Sequence, residues 1–92
     1  MLPIIWSNAA RNDLRNIIQY IAKENPAAAR RIKKLLENSV LPTAERPYLY
    51  QQSERVAGTR KIVAHPNDII VYRVDMSTIK ILRVMHVRQE YP

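Results

Sequence analysis

The stretch TRKIVAHPNDIIVYRVDMSTIKILRVMH, residues 59–86, decides the fold because it holds three apolar-rich runs of strand length. The runs are Thr59–Ala64, Ile69–Val74 and Ile79–His86. Turn-forming sequences separate them, HPND at 65–68 and DMST at 75–78. Connections this short join neighbouring antiparallel strands, and the most apolar run is expected at the centre of a sheet. We therefore predict a three-stranded meander with residues 69–74 as its most central strand.

The residues before this meander predict one more strand and two helices. Ser7 or Asn8 can cap the first helix, and Asn25 followed by Pro26 marks the break between the two. The order β-α-α-β-β-β predicts an α+β fold in a single domain, residues 1–92, with a helix hairpin packed on one face of a small, mainly antiparallel sheet. The predicted segments are a strand at Leu2–Trp6, helices at Ala9–Lys23 and Pro26–Val40, and an irregular stretch at Pro42–Gly58.

Composition narrows the class of protein. The 92-residue chain is 47% hydrophobic, an ordinary value for one globular domain, and none of its apolar runs is long enough for a membrane span or a signal peptide. It has no cysteine, and its single glycine excludes every Gly-rich phosphate-binding loop. We therefore expect a cytoplasmic protein with no cofactor, and two histidines without cysteine do not predict a metal site. The net charge of +7 favours an anionic partner over a surface that is charged only for solubility.

Several stretches, in this order and spacing, resemble the RelE/ParE superfamily of toxins over nearly the whole chain. The resemblance implies the toxin of a type II toxin–antitoxin system, held in a hetero-oligomer by a cognate antitoxin that is acidic and partly disordered alone. It implies no membrane partner. The stretches are LPIIWSNAARNDL at 2–14, IIQYI at 17–21, ERPYLY at 45–50, RKIV at 60–63, IIVYRV at 69–74 and ILRVMHVR at 81–88.

The superfamily contains two activities, so the resemblance leaves the target open. A ParE-like toxin inhibits DNA gyrase by binding, whereas a RelE-like toxin cuts mRNA on the ribosome without metal. Ile69 stands where many of those nucleases carry an arginine, and the sequence ends at Pro92, with little of the tail that carries a catalytic tyrosine in several of them. Both departures favour the ParE-like function. In the ribonuclease alternative, the candidate catalytic residues are Arg60, His86, Arg88 and Tyr91.

The sequence also predicts a binding surface. Arg60, Arg73 and Arg83 alternate with large apolar residues, so we expect them on the sheet face that the helices leave open. Strict alternation would place Lys80 and His86 on one side of the last strand and Arg83 on the other. The candidate residues for contact with the target or the antitoxin are Arg60, Arg73, Arg83, His86 and Arg88.

Three further groups of residues carry expectations. Tyr48 and Tyr50 are expected to pin the irregular loop to the body of the domain. The basic residues at 30–34 are expected on the outer, solvated face of the second helix. His65, in a turn before Pro66, is expected to be structural.

Overall fold

The computed structural model describes residues 1–86, and the predicted order of elements is confirmed. No helix in this part of the chain is long and apolar enough to cross a membrane. Between the second helix and the meander, the stretch predicted as irregular begins with a 3-10 helix, Leu41–Ala44. The strands and helices are β1 (Ile4–Trp6), α1 (Asn8–Ala22), α2 (Pro26–Ser39), β2 (Arg60–His65), β3 (Asp68–Val74) and β4 (Ile79–His86).

The four strands form one sheet in the order β1-β4-β3-β2. β2 pairs antiparallel with β3 and β3 antiparallel with β4, whereas the short β1 runs parallel to β4 at the far edge. The central position predicted for residues 69–74 is confirmed, and β4 shares it. The chain crosses from one edge of the sheet to the other through the helix hairpin, which is why a parallel pair exists in a sheet otherwise built from hairpins.

Side-chain caps fix where both helices begin. The Ser7 hydroxyl accepts a hydrogen bond from the Ala10 N–H at 3.0 Å, and the Asn25 side-chain oxygen accepts one from the Ala28 N–H at 3.0 Å. Pro26 occupies the first turn of α2, where its missing N–H costs nothing. The Ser7 hydroxyl also donates to the Leu82 carbonyl at 2.9 Å, so the start of α1 is tied to the middle of β4.

The hydrophobic core lies between the helices and one face of the sheet. On β3, Ile70 and Tyr72 point into this core and are fully buried, while Arg73 points away and is exposed. No helix of residues 1–86 covers the second face, which agrees with the predicted one-sided arrangement. The buried residues of the core cluster are Ala10, Ile17, Leu36, Val40, Ile62, Ile70, Tyr72, Ile79, Ile81 and Val84.

A β-bulge in β4 changes which of its residues share a face. Val71 pairs with Arg83 but Tyr72 pairs with Ile81, so Leu82 is an extra residue. The expectation from strict alternation was therefore wrong for Lys80. Lys80 pairs with Arg73 and lies on the open face, not on the side of His86.

Candidate functional site

Arg60 does not lie on the open face of the sheet, so the expectation that placed it there was wrong. Two residues further along β2, Ile62 is 2% exposed in the core, so Arg60 lies on the helix-covered side. Its Nη1 donates to the Tyr50 carbonyl at 2.8 Å, and its guanidinium carbon lies 4.8 Å from the centre of the Tyr48 ring. Lys61 occupies the neighbouring position on the open face.

The loop after the 3-10 helix is held by Tyr50 together with a tyrosine that the sequence did not single out. The Tyr50 hydroxyl donates to the Ser39 carbonyl at 3.3 Å, and its ring meets Tyr72 edge-on at 6.4 Å. The Tyr72 hydroxyl donates to the Pro47 carbonyl at 2.9 Å. Burial raises the pKa of this hydroxyl above its ordinary 10.0, which keeps it a donor. Tyr48, by contrast, is 67% exposed.

Arg73 and Arg83 are exposed but each is already bound to a carboxylate. Arg73 Nε donates to Asp75 at 2.9 Å. Arg83 donates through Nε and Nη2 to the two oxygens of Asp13 on α1, at 2.8 and 2.9 Å. The same Asp13 accepts the Val84 N–H at 2.9 Å, at a part of the β4 edge that the shorter β1 does not reach. Any acidic partner of these arginines therefore competes with an internal acid.

His86 lies on the helix-covered side of the sheet and is 8% exposed. Its Nδ1 is 2.7 Å from Oδ1 of Asp68, which is itself 1% exposed, so the carboxylate holds the imidazole in one orientation. The Nδ1 of His65 lies 3.4 Å from the other carboxylate oxygen but accepts the Asn67 N–H at 3.2 Å. His86 is therefore the closer partner of Asp68.

These residues line a cavity of about 280 Å³ between the turn of the helix hairpin and the turn that joins β2 to β3. The Tyr20 ring lies 6.4 Å from the His86 ring at its mouth and is half exposed. Within residues 1–86, no group of three or more His, Asp or Glu side chains could hold a metal ion. The lining residues are Tyr20, Ile21, Glu24, Asn25, Ile32, His65, Asn67, Asp68 and His86.

The structure separates two of the candidate catalytic residues. Arg60 pairs with Tyr72 and His86 pairs with Asp68, so they stand four residues apart along β3, about 13 Å at roughly 3.3 Å per residue. They also lie on different strands, one on each side of β3. The other two candidates, Arg88 and Tyr91, lie outside the described residues.

The open face combines cations with apolar side chains. Lys61, Arg73 and Lys80 share it with Val63, which is 59% exposed, and with Ile5, which is 43% exposed. Such a surface fits a partner that carries both acidic and apolar groups.

Comparison with known proteins places the chain in a family. The model of the ParE toxin of type II toxin–antitoxin systems, parDE, matches residues 4–91. The Sinorhizobium fredii protein named "Putative toxin Y4kP" is 36% identical over 90 residues, which cover 97% of this chain and 92% of that protein. The chain therefore belongs to the ParE toxin family, and it is a toxin of a type II toxin–antitoxin system.

Solved structures show the same fold. The chromosomal ParDE toxin–antitoxin system from P. aeruginosa includes a chain that matches with a TM-score of 0.85 at 22% identity, over 95% of this chain and 97% of that one. A chain of the toxin–antitoxin complex RelBE2 from Mycobacterium tuberculosis matches with a TM-score of 0.61 at 24% identity, over 92% and 96%. The fold is therefore common to the ParE and RelE branches and does not distinguish a gyrase inhibitor from a ribonuclease.

Proposed function

We propose that this protein inhibits DNA gyrase by binding it, in the cytoplasm, and that a cognate antitoxin neutralises it. Membership of the ParE toxin family, whose model matches residues 4–91, supports this target. The protein acts without cofactor or metal, as the composition predicts.

The separation of Arg60 from His86 is the observation that carries a binding function over an enzymatic one. Metal-free RNA cleavage needs an acid, a base and a cation that each reach one phosphodiester at about 3 Å. Arg60 is about 13 Å further along β3 than His86. It is also held by the Tyr50 carbonyl and the Tyr48 ring. These two residues are therefore poorly placed to act on the same phosphate.

The open face is the part of the molecule that we assign to the antitoxin. Lys61, Arg73 and Lys80 attract an acidic segment. The exposed side chains of Val63 and Ile5 offer apolar contacts that stabilise this segment as it folds. Arg73→Glu should weaken antitoxin binding at least tenfold. Arg55→Glu makes the same charge change in the exposed loop and should leave the affinity unchanged.

A supercoiling assay tests the proposed target. Purified toxin is titrated into gyrase, ATP and relaxed plasmid, and we expect supercoiling to stop and to recover when the antitoxin is added. Relaxation of supercoiled plasmid by a type I topoisomerase is the matched control, because it detects inhibition that comes only from coating the DNA. Full gyrase activity at saturating toxin would reject the proposal.

One observation favours the ribonuclease alternative. Asp68 orients His86 at the wall of a cavity, with His65 beside it, and an oriented imidazole is a suitable general base. Arg88 and Tyr91, which lie outside the described residues, remain the other candidate catalytic residues of this alternative. Primer extension on cellular transcripts after toxin induction distinguishes the ribonuclease from the gyrase inhibitor. Cuts that disappear in His86→Gln and Asp68→Asn would establish the enzyme, whereas intact transcripts with blocked replication would eliminate it.

A further inference from the structure

The outer face of α2 carries a dense group of positive charges. Arg30, Arg31, Lys33 and Lys34 are all exposed and fall within five consecutive residues. No ion pair found among residues 1–86 involves α2, although Glu37 lies one turn further on. Elsewhere on the surface, Arg73 and Arg83 are paired with carboxylates. The charge on α2 is therefore not neutralised by an ion pair among the described residues, unlike that of Arg73 and Arg83.

The core fixes the direction in which these cations point. Ala29 and Leu36 are buried and Ile32 is half-buried against the core, so the helix cannot rotate about its axis. Arg30 and Lys34 are four residues apart, which places them side by side, about 6 Å from each other. Successive residues of a helix are about 100° apart, so Arg30, Arg31 and Lys34 point away from the core together, whereas Lys33 projects from the flank of the helix.

We infer that this face of α2 binds the phosphate backbone of duplex DNA. A B-form duplex carries one negative charge per ~1.7 Å of its axis, so the ~6 Å between neighbouring cations spans roughly three to four phosphate charges. Arg30, Arg31 and Lys34 project from the outer side of one helix within about this length, so their number approaches that of the phosphate charges. The biological role of this binding rests on the proposed function, because duplex DNA is the substrate on which gyrase acts.

Other anionic partners fit the face less well. A membrane-surface helix needs its apolar side free to enter the lipid, and here that side is committed to the core. Single-stranded RNA is held by stacking on aromatic rings, and α2 contains none. A folding acidic peptide needs exposed apolar anchors, and of the large apolar residues of α2 only Leu35, at 41%, is strongly exposed. A duplex backbone requires only positive charge.

The expected salt dependence of DNA binding follows from the release of counterions from the duplex. Each neutralised phosphate contributes about 0.9 to the slope of log K against log salt, so contacts from Arg30, Arg31 and Lys34 predict a slope near −2.7. Binding should weaken roughly 40-fold between 50 and 200 mM KCl. Arg30→Gln with Lys34→Gln removes two of these contacts, keeps helix propensity, and should reduce the loss to about 3.5-fold.

Fluorescence anisotropy with a labelled 25-base-pair DNA duplex and the full chain tests the inference. The control, Arg46→Gln with Arg55→Gln, removes two exposed charges from the loop and should change the slope by less than one. Circular dichroism checks that each variant is folded. A wild-type slope near zero, or an equal change in the control, would overturn the inference. So would tighter binding to an RNA duplex of the same length or to phosphatidylglycerol vesicles.

The supercoiling assay separates this inference from the function on which it rests. If the α2 double variant loses duplex binding and inhibits gyrase only at higher concentration, both stand. If wild-type toxin fails to bind the duplex and still inhibits gyrase, the inference is wrong and the proposed function remains. If it binds the duplex through α2 and leaves gyrase fully active, the inference remains and the proposed function is wrong.

Discussion

Replacing Asp13 separates two contributions that one carboxylate makes to the stability of the domain. Its oxygens form the ion pair with Arg83 and also accept the Val84 N–H at 2.9 Å. The Arg83 side chain is 57% exposed, so solvent screens the ion pair, and we assign it about 0.5 kcal/mol. The Asp13 side chain is only 14% exposed, and a backbone N–H bound to a carboxylate contributes about 1.5–3 kcal/mol.

A matched series of variants therefore has a predicted order. Asp13→Ala loses both contributions and should reduce the free energy of unfolding by about 2–3.5 kcal/mol. Asp13→Asn keeps an oxygen for the Val84 N–H, so it should cost about 1 kcal/mol, and Arg83→Ala should cost about 0.5 kcal/mol. Urea unfolding followed by circular dichroism measures each value. Equal losses in Asp13→Ala and Arg83→Ala would refute the reasoning, because the ion pair would then account for the whole effect.

Three further changes test the packing of the site and the fold. Tyr72→Phe removes the bond to Pro47 and should cost about 1 kcal/mol in urea unfolding. Burial raises the pKa of Tyr72 in the folded state. The contribution of the neutral hydroxyl to the free energy of unfolding is therefore complete below pH 10 and is lost as the pH rises through the folded pKa. Tyr72→Phe should accordingly lose less stability at alkaline pH than the wild type. Gly58 has φ +79° with nothing within 4 Å of an added Cβ, so Gly58→Ala should cost about 1–2 kcal/mol from backbone strain alone, and an equally large loss in Gly58→Asn would contradict this cause. Ser7→Ala removes both the cap of α1 and the hydrogen bond to the Leu82 carbonyl, so its melting temperature should fall by at least about 4 °C. A smaller fall would show that neither hydrogen bond stabilises the domain.

The sequence predicted the order and the packing of the elements because both depend on hydrophobic periodicity. The two helices have apolar stripes at helical spacing, and the three closing runs have strand length between turns. The caps at Ser7 and Asn25 were also predictable, since each is a short polar residue directly before an apolar periodic segment.

The details of the site escaped prediction because long-range contacts decide them. Arg60 was expected on the open face, but its side follows from its pairing with Tyr72 and from a loop that folds back over it. Asp68 looks like a turn residue in the sequence HPND, yet it is the first residue of β3 and its carboxylate is buried against His86. Nothing in the local sequence indicates that this acid points inward.

The bulge at Leu82 was equally hidden. An extra residue in a strand leaves no mark in its composition, and a run such as IKILRVMH fits either register. For this reason strict alternation placed Lys80 on the wrong face of the sheet, although the strand itself was predicted correctly.

The parallel pairing of β1 with β4 joins residues that are translated far apart in time. Ser7 and Leu82, which are bonded across this junction, stand 75 positions apart in the chain. β4 also forms half of the centre of the sheet, so a nascent chain that lacks it holds two helices and a hairpin with no completed core. The core can therefore be completed only after β4 has been synthesised.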